Sequence, residues 1–154
     1  MKSNGWLVAG GGLSAAAALL HVAVIFGGPA WYRFFGAGEE MARAAEAGSA
    51  RPVLVTLGIA SVLLVWALYA FSGAGRIRRL PLLRTALVAI STIYLLRALA
   101  PIPMLVVNPE TVDRFVVWSS LTVLVYGVCY AVGTWIAWPR MAPSQDPSIR
   151  GTPG

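Results

Sequence analysis

The sequence predicts an all-α integral membrane protein: a four-helix transmembrane bundle with a short interfacial helix in the first extracytoplasmic connection. Three observations carry this. Of 154 residues, 58% are hydrophobic and only 12% charged, about half the charged share of a soluble domain. Four apolar runs are each long enough to cross a hydrocarbon core of roughly 30 Å. Every carboxylate lies outside those runs, and one connection concentrates arginine without acid.

The first helix is expected over about 6–27. Its apolar run is too long for a signal peptide and contains a histidine, so it reads as a retained span. The connection after it holds the aromatic cluster Trp31, Tyr32, Phe34 and Phe35, suited to the headgroup level. Glu39 to Ala47 then reads as a short helix. Two glutamates favour its N-terminus, Glu39 and Arg43 are i,i+4 partners, and Gly48 can end it.

The second helix is expected over about 53–71 and is followed by Arg76, Arg78, Arg79 and Arg84 with no acid among them. Those arginines mark the cytoplasmic side and place both termini there. The third helix, about 82–100, has Pro81 suited to its first position and Pro101 and Pro103 to end it. The fourth runs over about 115–138 and Pro139 stops it. Residues 1–138 then form one transmembrane domain and 139–154 a flexible cytoplasmic tail rich in Pro, Ser and Gly. The expected location is a plasma membrane, the bacterial inner membrane.

The net charge of +6 does not point to nucleic acid, because the basic residues form no helix face and no aromatic-interleaved patch. Anionic lipid headgroups are the natural partners of Arg76, Arg78 and Arg79. Trp66, Tyr69, Trp135 and Trp138 fit an aromatic belt near the cytoplasmic ends. A lone cysteine, Cys129, excludes an intramolecular disulfide and a redox pair, and its apolar run makes it a buried, inert thiol. Walker, HExxH and GxSxG patterns are absent, as is any Cys/His metal spacing, so neither cofactor nor metal is expected. The lack of an acid within the spans argues against a proton-coupled multidrug exporter. The four-span plan is similar to that of the sterol-isomerase-like and DoxX-like groups in architecture alone; no motif is shared and no residue role is implied.

Candidate chemistry gathers toward the extracytoplasmic half. Gly10, Ser14, Ala18 and His21 share one stripe of the first helix, and small residues mark where helices approach closely. His21 is therefore expected to face the bundle, as a proton-handling group or as a histidine bonded to a neighbouring helix. Arg97 stands one turn before Pro101, where it can snorkel, bond to a loop carboxylate, or hold an anionic headgroup or substrate. With that topology Thr56, Ser119, Ser120 and Thr122 reach a similar depth. Ser119, Thr122, Tyr126, Cys129 and Gly133 recur at spacings of three and four, one face expected to line the interior with Tyr130 beside it.

The expected ligand-binding set is His21, Arg97, Tyr94, Thr56, Ser119, Thr122 and Tyr126, around an outer-facing polar cavity. The function that follows is binding or transport of an amphipathic or anionic small molecule or lipid. One alternative is a structural or accessory subunit without a ligand, its polar groups fixing helix register. Another is a membrane-embedded lipid-modifying enzyme with His21 and Glu39 or Glu40 as a proton-transfer pair. Glycine-rich packing on the first helix leaves room for a homodimer or small homo-oligomer.

Overall fold

The structure, a computed structural model, describes residues 4–112 and 114–141. Its elements in chain order are α1 (Gly5–Phe34), α2 (Glu39–Glu46), α3 (Arg51–Gly73), α4 (Leu83–Leu99), α5 (Pro101–Val107) and α6 (Arg114–Ala137), with 3-10 turns at Pro109–Thr111 and Trp138–Met141. No strand occurs among the described residues. Four stretches are long and apolar enough to cross a membrane: Gly5–Phe34, Arg51–Gly73, Leu83–Val107 and Arg114–Met141.

The Asn4 side chain starts α1 twice over. Its Oδ1 accepts from the Leu7 N–H, and its Nδ2 donates to the Gly133 carbonyl at 2.6 Å, which ties the start of α1 to the end of α6. The expected helix end at Gly27 is a break, after which the chain resumes its helix. Gly28 takes φ 65°, ψ −155°, a conformation open in practice only to glycine. Pro29 follows, lacks an N–H, disfavours helical geometry at the residue before it, and suits the first turn of the new segment that runs to Phe34.

That segment and α2 form a cap over one end of the bundle, the cap end. Ala42 of α2 is fully buried with Val24 and Tyr32. Gly48, at φ 71°, ends α2, with its N–H bonded to Ala45 O and that of Ser49 to Ala44 O.

Three prolines act differently from their sequence-based roles. Pro81 does not open α4. The chain first turns through Leu82 in the left-handed region, and the helix begins at Leu83. Pro101 and Pro103 do not end the span. Ala100 keeps right-handed helical angles and α5 restarts at Pro101. Both prolines fall in the first turn of α5, where a missing N–H costs no intrahelical bond.

The four long helices close a ring in the order α1, α3, α4, α6. The α1–α3 and α4–α6 seams are the longest, and α3 touches α4 least of the four neighbouring pairs. Close seams come from glycines. An added Cβ on Gly133 would stand 2.6 Å from Leu7 Cγ, one on Gly10 3.0 Å from the Tyr130 ring, and one on Gly127 2.8 Å from Leu95. At the end opposite the cap, Arg84 donates to Trp138 O at 2.9 Å and lies over the Trp138 ring, while Arg79 donates to Met141 O. Cationic groups thus meet the carbonyl end of α6, where the helix dipole favours them. Met141 is buried, so the chain stays packed through the first residues of the expected tail; residues 142–154 lie outside the described residues.

Candidate functional site: an apolar crevice carrying Arg97

All four spans meet at one buried polar knot. Ser14 Oγ of α1 lies 2.8 Å from Tyr94 Oη of α4 and 2.9 Å from Tyr130 Oη of α6. Tyr130 Oη donates to Trp66 O of α3 at 3.0 Å. A carbonyl only accepts, so this last bond orders every proton in the chain. Tyr130 gives its single proton to Trp66 O, Ser14 therefore donates to Tyr130, and Tyr94 donates to Ser14. Every hydroxyl proton is used, with Ser14 and Tyr130 both fully buried. Aromatic contacts surround the knot. Tyr94 packs edge-on to Trp66 with ring centroids 4.9 Å apart, and against Tyr126 and Tyr130 at 5.5 and 5.4 Å.

Beside the knot, where α3 and α4 are least in contact, a crevice of about 450 Å3 opens along the side of the bundle. One face of α3 (Val55, Gly58, Ile59, Val62, Leu63 and Trp66) makes one wall. Ile93, Tyr94 and Arg97 of α4 make the other, with Val123 of α6 behind. The spacing of the α3 residues is the three-and-four rhythm of a single helical stripe. Arg97 is the only charged group among the described residues of this lining. Among the described residues its hydrogen-bond partner is Ser120 of α6, Nη1 to Oγ at 3.3 Å. Ser120 lies roughly 9 Å along α6 from Arg114 at 1.5 Å per residue, about a quarter of that helix. Arg97 stands in the last turn of α4, where the sequence places it, and is exposed along the apolar crevice; the span continues past it through α5.

Of the expected ligand set, the crevice brings together Arg97 and Tyr94. Tyr126 stands behind Tyr94. The others find partners elsewhere. His21 is half-buried, with Nδ1 2.7 Å from Ala17 O of its own helix. Thr56 donates to Tyr32 Oη at 3.4 Å. Ser119 and Thr122 donate back to Val116 O and Trp118 O, as hydroxyls in apolar helices commonly do. Thr122 is exposed, whereas Cys129 and Gly133 of the expected face are buried; the inward face of α6 runs through Ser120, Gly127, Cys129, Tyr130, Gly133, Thr134 and Ala137. Close packing of Gly127 on Leu95 and Gly133 on Leu7 sets that rotation.

The carboxylates belong to the cap. Glu39 accepts from Arg33 at 2.8 and 3.0 Å and from Arg43 at 3.0 Å; Arg33 also reaches Glu46, and Arg51 reaches Glu40, both at 2.8 Å. The hydrogen bonds from Arg33, then Arg43, push the Glu39 carboxyl down to about 2. Glu39 and Glu40 are thus engaged with arginines on the exposed side of the cap, while His21 is bonded within α1. Asp113, one of the loop carboxylates open to Arg97, lies outside the described residues.

The knot was not legible as such. Ser14 reads as a packing residue and Trp66 as part of an aromatic belt, yet Trp66 packs against Tyr94 at the bundle centre. The available signal was a tyrosine in mid-span on each of the last two spans, since a buried tyrosine hydroxyl needs a partner. No group of three or more histidine, cysteine or acidic side chains placed to hold a metal occurs among the described residues. Comparison with protein-family models, with curated proteins and with solved structures finds no match to this chain.

Proposed function

We propose that this chain is an integral protein of a bacterial inner membrane that binds an anionic amphiphile, a lipid or lipid-like molecule, in the crevice between α3 and α4. In this reading the arginine-rich connection before α4 and both termini are cytoplasmic, and the cap lies along the extracytoplasmic interface. The crevice then opens sideways into the outer leaflet. A sideways opening suits capture from the bilayer better than passage of a solute from water.

Arg97 carries the reading. An arginine facing an apolar crevice is costly, and among the described residues a single serine hydroxyl at 3.3 Å is a weak return. A phosphate or carboxylate held by two parallel N–H bonds satisfies the guanidinium far better, while the apolar walls take a hydrocarbon chain. The accessory-subunit reading has its own support in the knot, a fully satisfied polar network that fixes the register of four helices.

Native mass spectrometry of the gently purified protein, wild type beside Arg97→Ala, tests the proposal and reads the oligomeric state in the same spectra. A bound anionic mass lost in the variant is expected. Bare protein in both, at the same oligomeric state, would overturn the ligand reading in favour of the accessory one. Gly58→Phe is the complementary variant. Nothing stands within 4 Å of a Cβ placed there, so the ring enters the crevice without striking protein, and bound mass should fall while folding persists.

A further inference from the structure

We infer that the crevice takes a long-chain monocarboxylate, an unesterified fatty acid, in preference to a lipid with a phosphodiester head. This rests on the crevice being an amphiphile site and names the class of its ligand. Among the described lining residues only Trp66, Tyr94 and Arg97 carry polar side-chain atoms. Tyr94 turns its hydroxyl to the buried Ser14. The Trp66 indole and the Arg97 guanidinium donate hydrogen bonds and accept none. The described lining therefore directs no side-chain acceptor at a ligand.

Arg97 also stands within the crevice and not at its edge. A Cβ on Gly73 would meet Leu87, and the Trp66 ring meets Tyr94, so a step along α3 matches an opposite step along α4. On that register Arg97 is level with Leu63, and Val55 lies roughly 12 Å nearer the cap at 1.5 Å per residue. Val55, Gly58 and Ile59, on the cap side of that level, offer no polar side chain. The open side gives onto hydrocarbon, which accepts no bond either. Any donor that a head carries beyond its anion is therefore stranded. A carboxylate brings one charge for one guanidinium, two oxygens for two parallel N–H groups, and no donor of its own. A phosphodiester head brings hydroxyls or an ammonium, and each stranded donor weakens binding about fivefold or more.

The test is a titration of the full-length protein in micelles, read by native mass spectrometry, with three probes that share one chain length: palmitate, palmitoyl lysophosphatidylglycerol and hexadecyltrimethylammonium. Palmitate should bind at least about fivefold tighter than the lysolipid, and its binding should be lost in Arg97→Ala. Ile59→Gln places an amide carbonyl in the crevice at a half-exposed position. It should narrow the ratio by raising lysolipid affinity, while persisting palmitate binding reports a folded protein. Equal or tighter binding of the lysolipid, with both anions lost in Arg97→Ala, would overturn the carboxylate preference and leave the amphiphile site standing. A ratio unchanged in Ile59→Gln would overturn it in the same way. No binding of either anion, binding indifferent to Arg97→Ala, or equal binding of the cation would overturn the site itself.

Discussion

Because the proton order of the knot is directional, its members are unequal in a way that mutation can read. Tyr94→Phe removes one donor and leaves Ser14 Oγ with an unused lone pair, while Ser14 still donates to Tyr130 and Tyr130 to Trp66 O. No donor is stranded. The cost should match a single interhelical hydrogen bond in a membrane protein, about 0.6 kcal/mol and at most about 1.7. Ser14→Ala removes the acceptor of Tyr94, whose hydroxyl proton is then left facing a fully buried position. A stranded buried donor costs about 1–3 kcal/mol. The better helix propensity of alanine returns only a few tenths of a kcal/mol. In the double variant nothing is stranded, so it should be less destabilised than the sum of the singles by about 1–2 kcal/mol. Both changes delete one oxygen, which keeps the packing term small. Reversible unfolding in mixed micelles measures all three variants. Additivity within about 0.5 kcal/mol, or a larger cost for Tyr94→Phe than for Ser14→Ala, would refute the assigned proton order.

Other consequences follow from the cap and the seams. Glu39 titrates at about 2 in the folded chain against an ordinary 4.5, so it favours the folded cap above pH 4.5. That contribution fades as pH falls from there through about 2; acid titration should release amide protection across α2 in this window, and high salt should weaken the effect. Arg33→Ala should raise the Glu39 titration toward its ordinary value, as read from its carboxyl chemical shift. Gly58→Ala, in open space, should stabilise α3 by up to about 1 kcal/mol, and a loss of stability would mean that the crevice is filled by protein. Gly133→Ala should destabilise by about 1–3 kcal/mol through overpacking, since its Cβ would lie 2.9 Å from the Leu7 backbone nitrogen; a neutral result in thermal melts would show that the α1–α6 seam can part.

Hydrophobicity, charge placement and caps act locally, and what they control was legible. The four apolar runs became the four long helices. The short helix after the first run, with its paired glutamates and terminating glycine, formed where those residues place it. Where a proline stands between two helical stretches the sequence was ambiguous. The same missing N–H that can stop a helix is harmless in the first turn of the next one, and neighbours decide which turn it occupies, as at Pro29 and Pro101.

The site depended on helix rotation, which no single helix determines. Serine and threonine in a span can bond to their own backbone or to a neighbour at similar cost, so Ser119 and Thr122 could be counted as polar without being placed. Glycine contacts at Gly127 and Gly133 turned α6 until Tyr130 met Ser14 and Thr122 faced outward. The crevice is a gap between α3 and α4; Arg97 and Tyr94 were legible as candidates, but the apolar residues of α3 that make its wall read as ordinary lipid-facing ones. By itself the sequence determined which segments leave water, because burial of apolar surface is a sum over residues. Tertiary packing decided which polar groups meet, because that depends on the rotation and register each helix takes against all its neighbours at once.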